Sequence, residues 1–393
     1  MKKARLIAIG ILIFTTFINV KSQTFLDSTK LNFSGFIKAD YVYDSRQIVD
    51  SRENLFLFYP KDNSISDHDE SSYNQYALIS RLRANIKGPG ILGAQSSAAL
   101  EGDFSGASNN DIDGFRLRHA YFKLDWDKTT ALFGQYWHPL TIPVAFPKVL
   151  SLNIGAPFHA FNRGPQVRIE HRPGSFKLIG VVTSQRDFAN TGPEGYSPKY
   201  MYNGGIPDMH AQVHFLPGNW TIGIGGGYKA IAPAREKYQV NDKLTALSFT
   251  GFVKLNTDRS RLVLQAIYGE NLYDHLMMGG YSLRQDSMNN QIKMTNIPAT
   301  TFWADYKINI KNNWNAGVFI GYAVNNQNNL KSGYEYYVRG KDIDFVYRVS
   351  PRIIKNIKNI MAGLELEYTA AKYRYEDVAA DNTRLSLILL YRF

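Results

Sequence analysis

Five arginines recur at alternating positions: Arg81 and Arg83, Arg116 and Arg118, and Arg168. Their neighbours are mostly apolar, as in Phe115-Arg116-Leu117-Arg118 and Val167-Arg168-Ile169. Two-residue spacing puts side chains on one face of a β-strand, so each pair shares a face. A guanidinium offers a planar fork of donors that matches a carboxylate through two parallel hydrogen bonds. Rings of Arg or Lys also select anions by field alone. The stretch 139–164 adds Lys148 and Arg163 and contains no Asp or Glu, so fixed charge beside it is mostly positive. The chemistry implied is weak, sequential binding of small anionic solutes. Acids such as Asp40, Glu101, Asp103 and Glu170 fall on the same kind of face, so the competing reading is a set of ion pairs that only stiffen a wall.

Other chemistries find less support. His210 and His214 share a face, but a tetrahedral metal needs further ligands that the spacing does not supply, so no metal is expected. The segment Asn109-Asn110-Asp111-Ile112-Asp113-Gly114 has Ala120 where a calcium loop needs Glu, so a polar external turn is expected. The glycines from Gly223 to Gly227 lie inside an alternating segment. They leave room beside a strand rather than cradle a phosphate. No spacing marks a nucleophile and its base, so neither an enzyme such as an outer-membrane phospholipase or protease nor a cofactor is expected. The net charge of +11 includes Lys2, Lys3, Arg5 and Lys21 and no acid in the first 22 residues. The remainder holds 41 basic and 34 acidic groups, or +7. That excess is spread out, with no basic stripe or motif, which argues against a nucleic-acid partner.

The elements that carry these residues alternate with period two, the signature of a strand with one apolar face. In Met209-His210-Ala211-Gln212-Val213-His214-Phe215 every odd position is apolar. The pattern predicts strands at 31–45, 73–87, 91–104, 114–126, 129–138, 165–172, 175–186, 206–216, 219–231, 243–256, 259–270, 298–311, 313–325, 333–348, 359–372 and 383–393. A bulge is expected near Arg339 to Asp342, and the last short link near Ser350-Pro351-Arg352. Links alternate between short turns, such as those near Pro89, Gly174 and Gly218, and long polar loops, such as those near Asp62, Tyr196 and Met288. Short turns on one rim and long loops on the other describe an outer-membrane barrel, with the long loops outside the cell. The fold class expected is all-β, a transmembrane antiparallel up-and-down barrel of about 16 strands with 139–164 as an inserted constriction loop.

The two ends agree with this. Residues 1–22 join basic residues, an apolar run from Leu6 to Phe17 and a small-residue junction, so they read as a signal peptide cleaved before Gln23. A single barrel domain would then occupy 23–393. The run is too short for a spanning helix, which takes about 20 residues. The chain ends on Tyr391-Arg392-Phe393, with the aromatic last on an alternating strand. Tyr391 and Phe393 resemble the signal read by the outer-membrane assembly machinery.

Gly134-Gln135-Tyr136-Trp137-His138-Pro139, then Arg163-Gly164-Pro165-Gln166-Val167-Arg168, with Phe115-Arg116-Leu117-Arg118 upstream, resembles the DcaP-like porins. The match covers about residues 75–170; the later half matches only in architecture. The resemblance implies a trimeric sixteen-stranded channel in the outer membrane of a Gram-negative bacterium, favouring dicarboxylic and other organic anions. It puts Arg81, Arg116, Arg118 and Arg168 in the wall and Lys148 and Arg163 on the inserted loop; strand parity adds Arg83. Small outward residues, Gly35, Ala39, Ala98 and Gly102, could let subunits approach. The nearest alternative is a FadL-like transporter of hydrophobic compounds, which would want an N-terminal plug of some forty residues that the chain lacks.

Overall fold

Period-two alternation produces long antiparallel strands, and their outer residues decide what surrounds them. In the computed structural model, which describes residues 29–152, 154–286, 291–326 and 331–393, the wall begins with β1 (Lys30–Asp44). Its second stave is split into β4 (Ser72–Tyr76) and β5 (Arg81–Ile91), both paired with β1. There follow β6 (Ala94–Asp103), β7 (Arg116–Asp125), β8 (Thr129–Trp137), β9 (Arg163–His171), β10 (Phe176–Thr183), β11 (Asp208–Phe215) and β12 (Trp220–Ile231). Then come β13 (Leu244–Asn256), β14 (Ser260–Glu270), β16 (Ile292–Asn309), β17 (Trp314–Asn325), β19 (Ile343–Ile357), β20 (Ile360–Tyr373) and β21 (Ala380–Arg392). Antiparallel pairing of β1 with β21, from Phe36 opposite Arg392 to Asp44 opposite Arg384, closes sixteen staves into a barrel. Among the described residues the loops carry β2 (Ile48–Ser51), β3 (Phe56–Pro60), β15 (Gly279–Gln285), β18 (Glu335–Arg339) and one short α-helix, α1 (Lys199–Gly204). The leader expected over residues 1–22 and the loop position at Met288 lie outside the described residues, as does Asn153.

The faces are inverted relative to a water-soluble protein. On β21 Leu385, Leu387, Leu389 and Tyr391 are exposed, while Arg384, Ser386 and Ile388 are buried. Leaving such faces in water would cost about 25 cal/mol per Å² of apolar surface. Hydrocarbon removes that cost, and a closed barrel leaves no unpaired edge within it. Closure uses the last residue: Gly35 N–H donates to Phe393 O (3.1 Å) and Phe393 N–H donates to Gly35 O (3.2 Å). A Cβ on Gly35 would lie 2.1 Å from Arg81 O and 2.8 Å from the Phe393 ring, and one on Gly102 would strike the Phe115 ring. The smallness of Gly35 and Gly102 is thus already used inside the chain.

The strand expected at 298–311 begins earlier, at Ile292, and the one expected at 73–87 is split in two; two further differences move turns. The turn expected at Lys87–Gly90 lies instead at Leu92 and Gly93, both with positive φ (52° and 75°), as a two-residue hairpin turn requires. The Gly-Pro-Gly stretch is absorbed by a register shift between Lys87 and Gly90, so Pro89 lies within β5. The larger correction concerns the strand expected at 333–348. That stave is β19, and Pro351 lies inside it opposite Val318, with the turn at Lys358 and Asn359. Arg348, Ser350 and Arg352 are buried while Val349 and Ile353 are exposed, so alternation runs straight through the proline. Residues 335–339 instead form β18, which pairs with β15 beyond the barrel wall.

On the long-loop side the interior is filled rather than open. The hairpin of β2 and β3 buries Phe56 and Phe58 in one cluster with Phe158 and Phe161 of the inserted loop, Phe188, Met278, Trp303 and Phe319. Phe56 meets Phe161 and Phe188 edge-on at 5.2 and 5.9 Å, contacts of about 0.5–1.5 kcal/mol each beyond area burial. Arg348 donates to Leu57 O (2.9 Å) and Ala156 O (3.0 Å), so one guanidinium holds both loops.

Candidate functional site

The inserted loop leaves β8 at His138 and returns at Arg163. Its neck is closed by His138 N–H donating to Asn162 O (3.0 Å) and Asn162 N–H donating to Thr141 Oγ1 (3.1 Å). The loop has no acid of its own, and wall acids receive its backbone. Lys148 N–H donates to Asp305 Oδ2 (3.1 Å), and the N–H groups of Leu150 and Ser151 donate to Glu365 Oε2 (2.7 and 3.2 Å). Wall cations take its carbonyls: Arg261 donates to Phe146 O (2.8 Å) and Lys38 to Leu150 O (2.9 Å). Charge-assisted bonds of this kind are roughly twice as strong as neutral ones. They hold the loop across the barrel.

Below the loop, toward the short turns, is a cavity of about 540 Å³. Lys38, Arg81, Lys148, Lys307 and Arg392 line it, and among the described residues no Asp or Glu does. Lys38 is paired with Asp40 (2.7 Å) and Arg81 lies 3.5 Å from Glu101. Among the described residues Lys148 and Lys307 form no ion pair. The aliphatic lining includes Ile79, Leu150, Ile354 and Leu390, so the cations face a low-dielectric wall that concentrates their field.

Four of the arginines singled out by spacing, Arg81, Arg83, Arg116 and Arg118, converge on the wall that adjoins this cavity, where Arg163 of the loop joins them. Arg83 donates to Glu101 (3.0 Å) and Tyr121 Oη (3.0 Å). Arg118 bridges Glu101 (2.8 Å) and Asp103 (2.6 Å), and Arg116 bridges Asp103 (3.2 Å) and Asp187 (3.3 Å). Arg163 lies 2.7 Å from Asp187 and stacks on Trp137 and Phe161. With Arg81, five guanidiniums face three carboxylates, so the cluster keeps an excess of positive charge. The side chains of Arg116, Arg118 and Arg163 are 6, 1 and 0 % exposed, against 23 and 27 % for Arg81 and Arg83. The first three are withdrawn from the lumen, and the last two are partly open to it. Arg168 stands apart, paired with Glu170 (2.7 Å) beside a second cavity of about 160 Å³. Tyr391 and Phe393 lie exposed on the outer face at the closing seam.

Sequence reasoning did not find Lys307 or Arg392 as partners of Lys148, although the same parity places both inward. It also did not find that Asp187, in the loop after β10, enters the arginine cluster. Nor did it join His138 to Asp208 and His210, which the barrel brings together; His214 pairs instead with Gln212 (3.1 Å). The glycine run does make room: Cβ atoms on Gly223, Gly225 and Gly227 would strike His214, Gln212 and His210.

A family model described as DcaP outer membrane protein matches residues 15–218. No curated protein matches the sequence. Among solved structures, the outer membrane channel DcaP of Acinetobacter baumannii superposes with a TM-score of 0.73 at 17% identity, over 95% of this chain and 99% of that one. An anion-selective porin from Comamonas acidovorans gives 0.60 at 10% identity, over 93% and 100%. The in-vitro folded OmpT of Vibrio cholerae, in its trimer form, gives 0.54 at 9% identity, over 93% and 100%. At these identities the likeness concerns the fold.

Proposed function

Because this chain belongs to the family of DcaP outer membrane proteins, we propose that it is an outer-membrane porin that passes small hydrophilic solutes and prefers organic anions, dicarboxylates among them. The observation that carries the anion preference is the cavity under the inserted loop, lined among the described residues by five cations and no carboxylate. Among the described residues Lys148 and Lys307 offer ammonium groups outside any ion pair, and Arg81 and Arg83 offer partly exposed forks. A dicarboxylate has two groups to place on such sites, each held weakly enough to leave. The buried arginine cluster adds a standing positive potential without contact. We further propose a homotrimer, as in the trimer form of OmpT.

The test is the reversal potential of the channel in a planar bilayer under a potassium chloride gradient. A sign showing chloride preference, together with transient block by a small dicarboxylate, supports the reading. Potassium preference refutes it. Crosslinking in gentle detergent that stops at monomer refutes the trimer.

A further inference from the structure

We propose that His138, Asp208 and His210 form a binding site for one divalent transition-metal ion of the zinc type, which fastens the neck of the inserted loop to the barrel wall. His138 is the first residue of the loop after β8, while Asp208 and His210 open β11. All three are buried, and one donor atom from each lies within 4.8 Å of the others. Ligands around tetrahedral zinc sit about 3.4 Å from one another, so the three donors need only small adjustments. Asp208 Oδ2 lies 3.0 Å from His138 Nε2, and Asp208 Oδ1 lies 2.7 Å from His210 Nε2. The second pair is in close ion-pair contact but outside hydrogen-bonding geometry, and neither of its atoms makes another hydrogen bond among the described residues. Buried polar atoms left without a well-made hydrogen bond are costly, and a bound ion would satisfy both.

The surroundings fit the same ion. Gly227, opposite His210, leaves the space its ring occupies; a Cβ there would come within 2.0 Å of it. His275 lies against His138 with ring centroids 4.3 Å apart, and its Nδ1 is buried without a hydrogen-bond partner among the described residues, so it is available for a fourth position. Asp274 beside it is held by Lys229 (2.6 Å) and Gln185 (2.9 Å), an outer shell that keeps this corner rigid. Two imidazoles and one carboxylate suit zinc, nickel or cobalt; calcium and magnesium want six or more oxygens. Leu140 N–H donates to His138 Nδ1 (3.3 Å), so Nε2 carries the proton it shares with Asp208. Metal binding at Nε2 requires the other neutral tautomer, so the proton moves to Nδ1 at the expense of the Leu140 bond.

The experiment uses tag-free, folded full-length barrel in detergent, stripped with chelator and then given zinc(II) at micromolar concentration. Bound metal is read by elemental analysis after gel filtration, and cobalt(II) replaces zinc for a visible spectrum. One zinc per chain and a tetrahedral-type cobalt spectrum are expected. His210→Ala and Asp208→Asn should each weaken binding by more than the 10–100-fold typical of outer-shell changes. His214→Ala, on the same face but outside the cluster, should leave binding as it is. If His210→Ala does not fold, Gly227→Ala displaces the ring by crowding and gives the same readout. Wild-type protein that retains no zinc overturns the proposal. So does zinc that stays bound when Asp208 or His210 is replaced, or a cobalt spectrum unchanged from that in buffer. Conductance enters none of these readouts, so failure here leaves the porin reading to its own test.

Discussion

Reversing Lys148 and Lys307 to Glu together is the sharpest probe of the permeation path. The lining of the cavity would change from five cations and no carboxylate to three cations and two carboxylates. A volume of 540 Å³ is that of a sphere of about 5 Å radius, which puts wall charges roughly 7 Å from its centre. One unit charge at that distance acts on a monovalent ion with about 0.6 kcal/mol in water. The two reversals change the wall by four unit charges, or about 2.4 kcal/mol, and screening at 0.1 M salt roughly halves this. An energy of about 1.2 kcal/mol is roughly an eightfold fall in anion occupancy, with a matching rise for cations. Neither lysine is in an ion pair among the described residues, so no buried carboxylate is orphaned and the barrel should fold. The assay is reversal potential in a planar bilayer, on protein first shown to be folded by its heat-modifiable mobility. The potential should move toward potassium by an amount equivalent to several-fold in permeability ratio. A folded double variant with the wild-type reversal potential would show that these lysines do not face the ions, and the cavity would lose its place in the path.

Three further outcomes are expected. Arg118→Ala strips two buried carboxylates, Glu101 and Asp103, of a shared partner. Breaking a buried pair this way costs about 3–5 kcal/mol, so the denaturation midpoint should drop clearly, and an unchanged midpoint would mean the cluster is slack. Phe393→Ala removes the ring that covers Gly35 at the closing seam, and the yield of folded, heat-modifiable barrel should fall; wild-type yield argues against an assembly role for that residue. Asp62, in the long loop after β1, is pushed up by burial, but hydrogen bonds from Tyr375, Ser64 and His68 outweigh this and hold it down to about 2, below its ordinary 3.8. A depressed carboxylate stabilises its contacts above the ordinary value and loses them as pH falls through the depressed one. Hydrogen exchange of the loops around Asp62 and Tyr375 should therefore stay slow down to about pH 4 and quicken toward about pH 2. Protection that is constant across that range would count against it.

Strand period, loop parity and the inward or outward sense of each residue were legible in the sequence, because each follows from local geometry. A side chain two residues on lies on the same face whatever the rest of the chain does. That is why sixteen staves, alternate short and long links and the inward sense of Arg81, Arg83, Arg116, Arg118 and Arg168 emerge from spacing. Pro351 misled the same logic, since a proline usually ends a strand and this one is carried inside β19. What stands opposite what was decided only in three dimensions. Pairing register sets Arg118 between Glu101 and Asp103, and a one-residue slip would dissolve that cluster. Barrel closure sets Lys148 beside Lys307, 159 positions later, and His138 beside Asp208. The hairpin bearing Phe56 and Phe58 reads as one more external loop, and only the closed barrel offers it an interior to fill. Parity is a property of one strand, whereas a site is a property of several, and the distances between strands are set by closure rather than by any single segment.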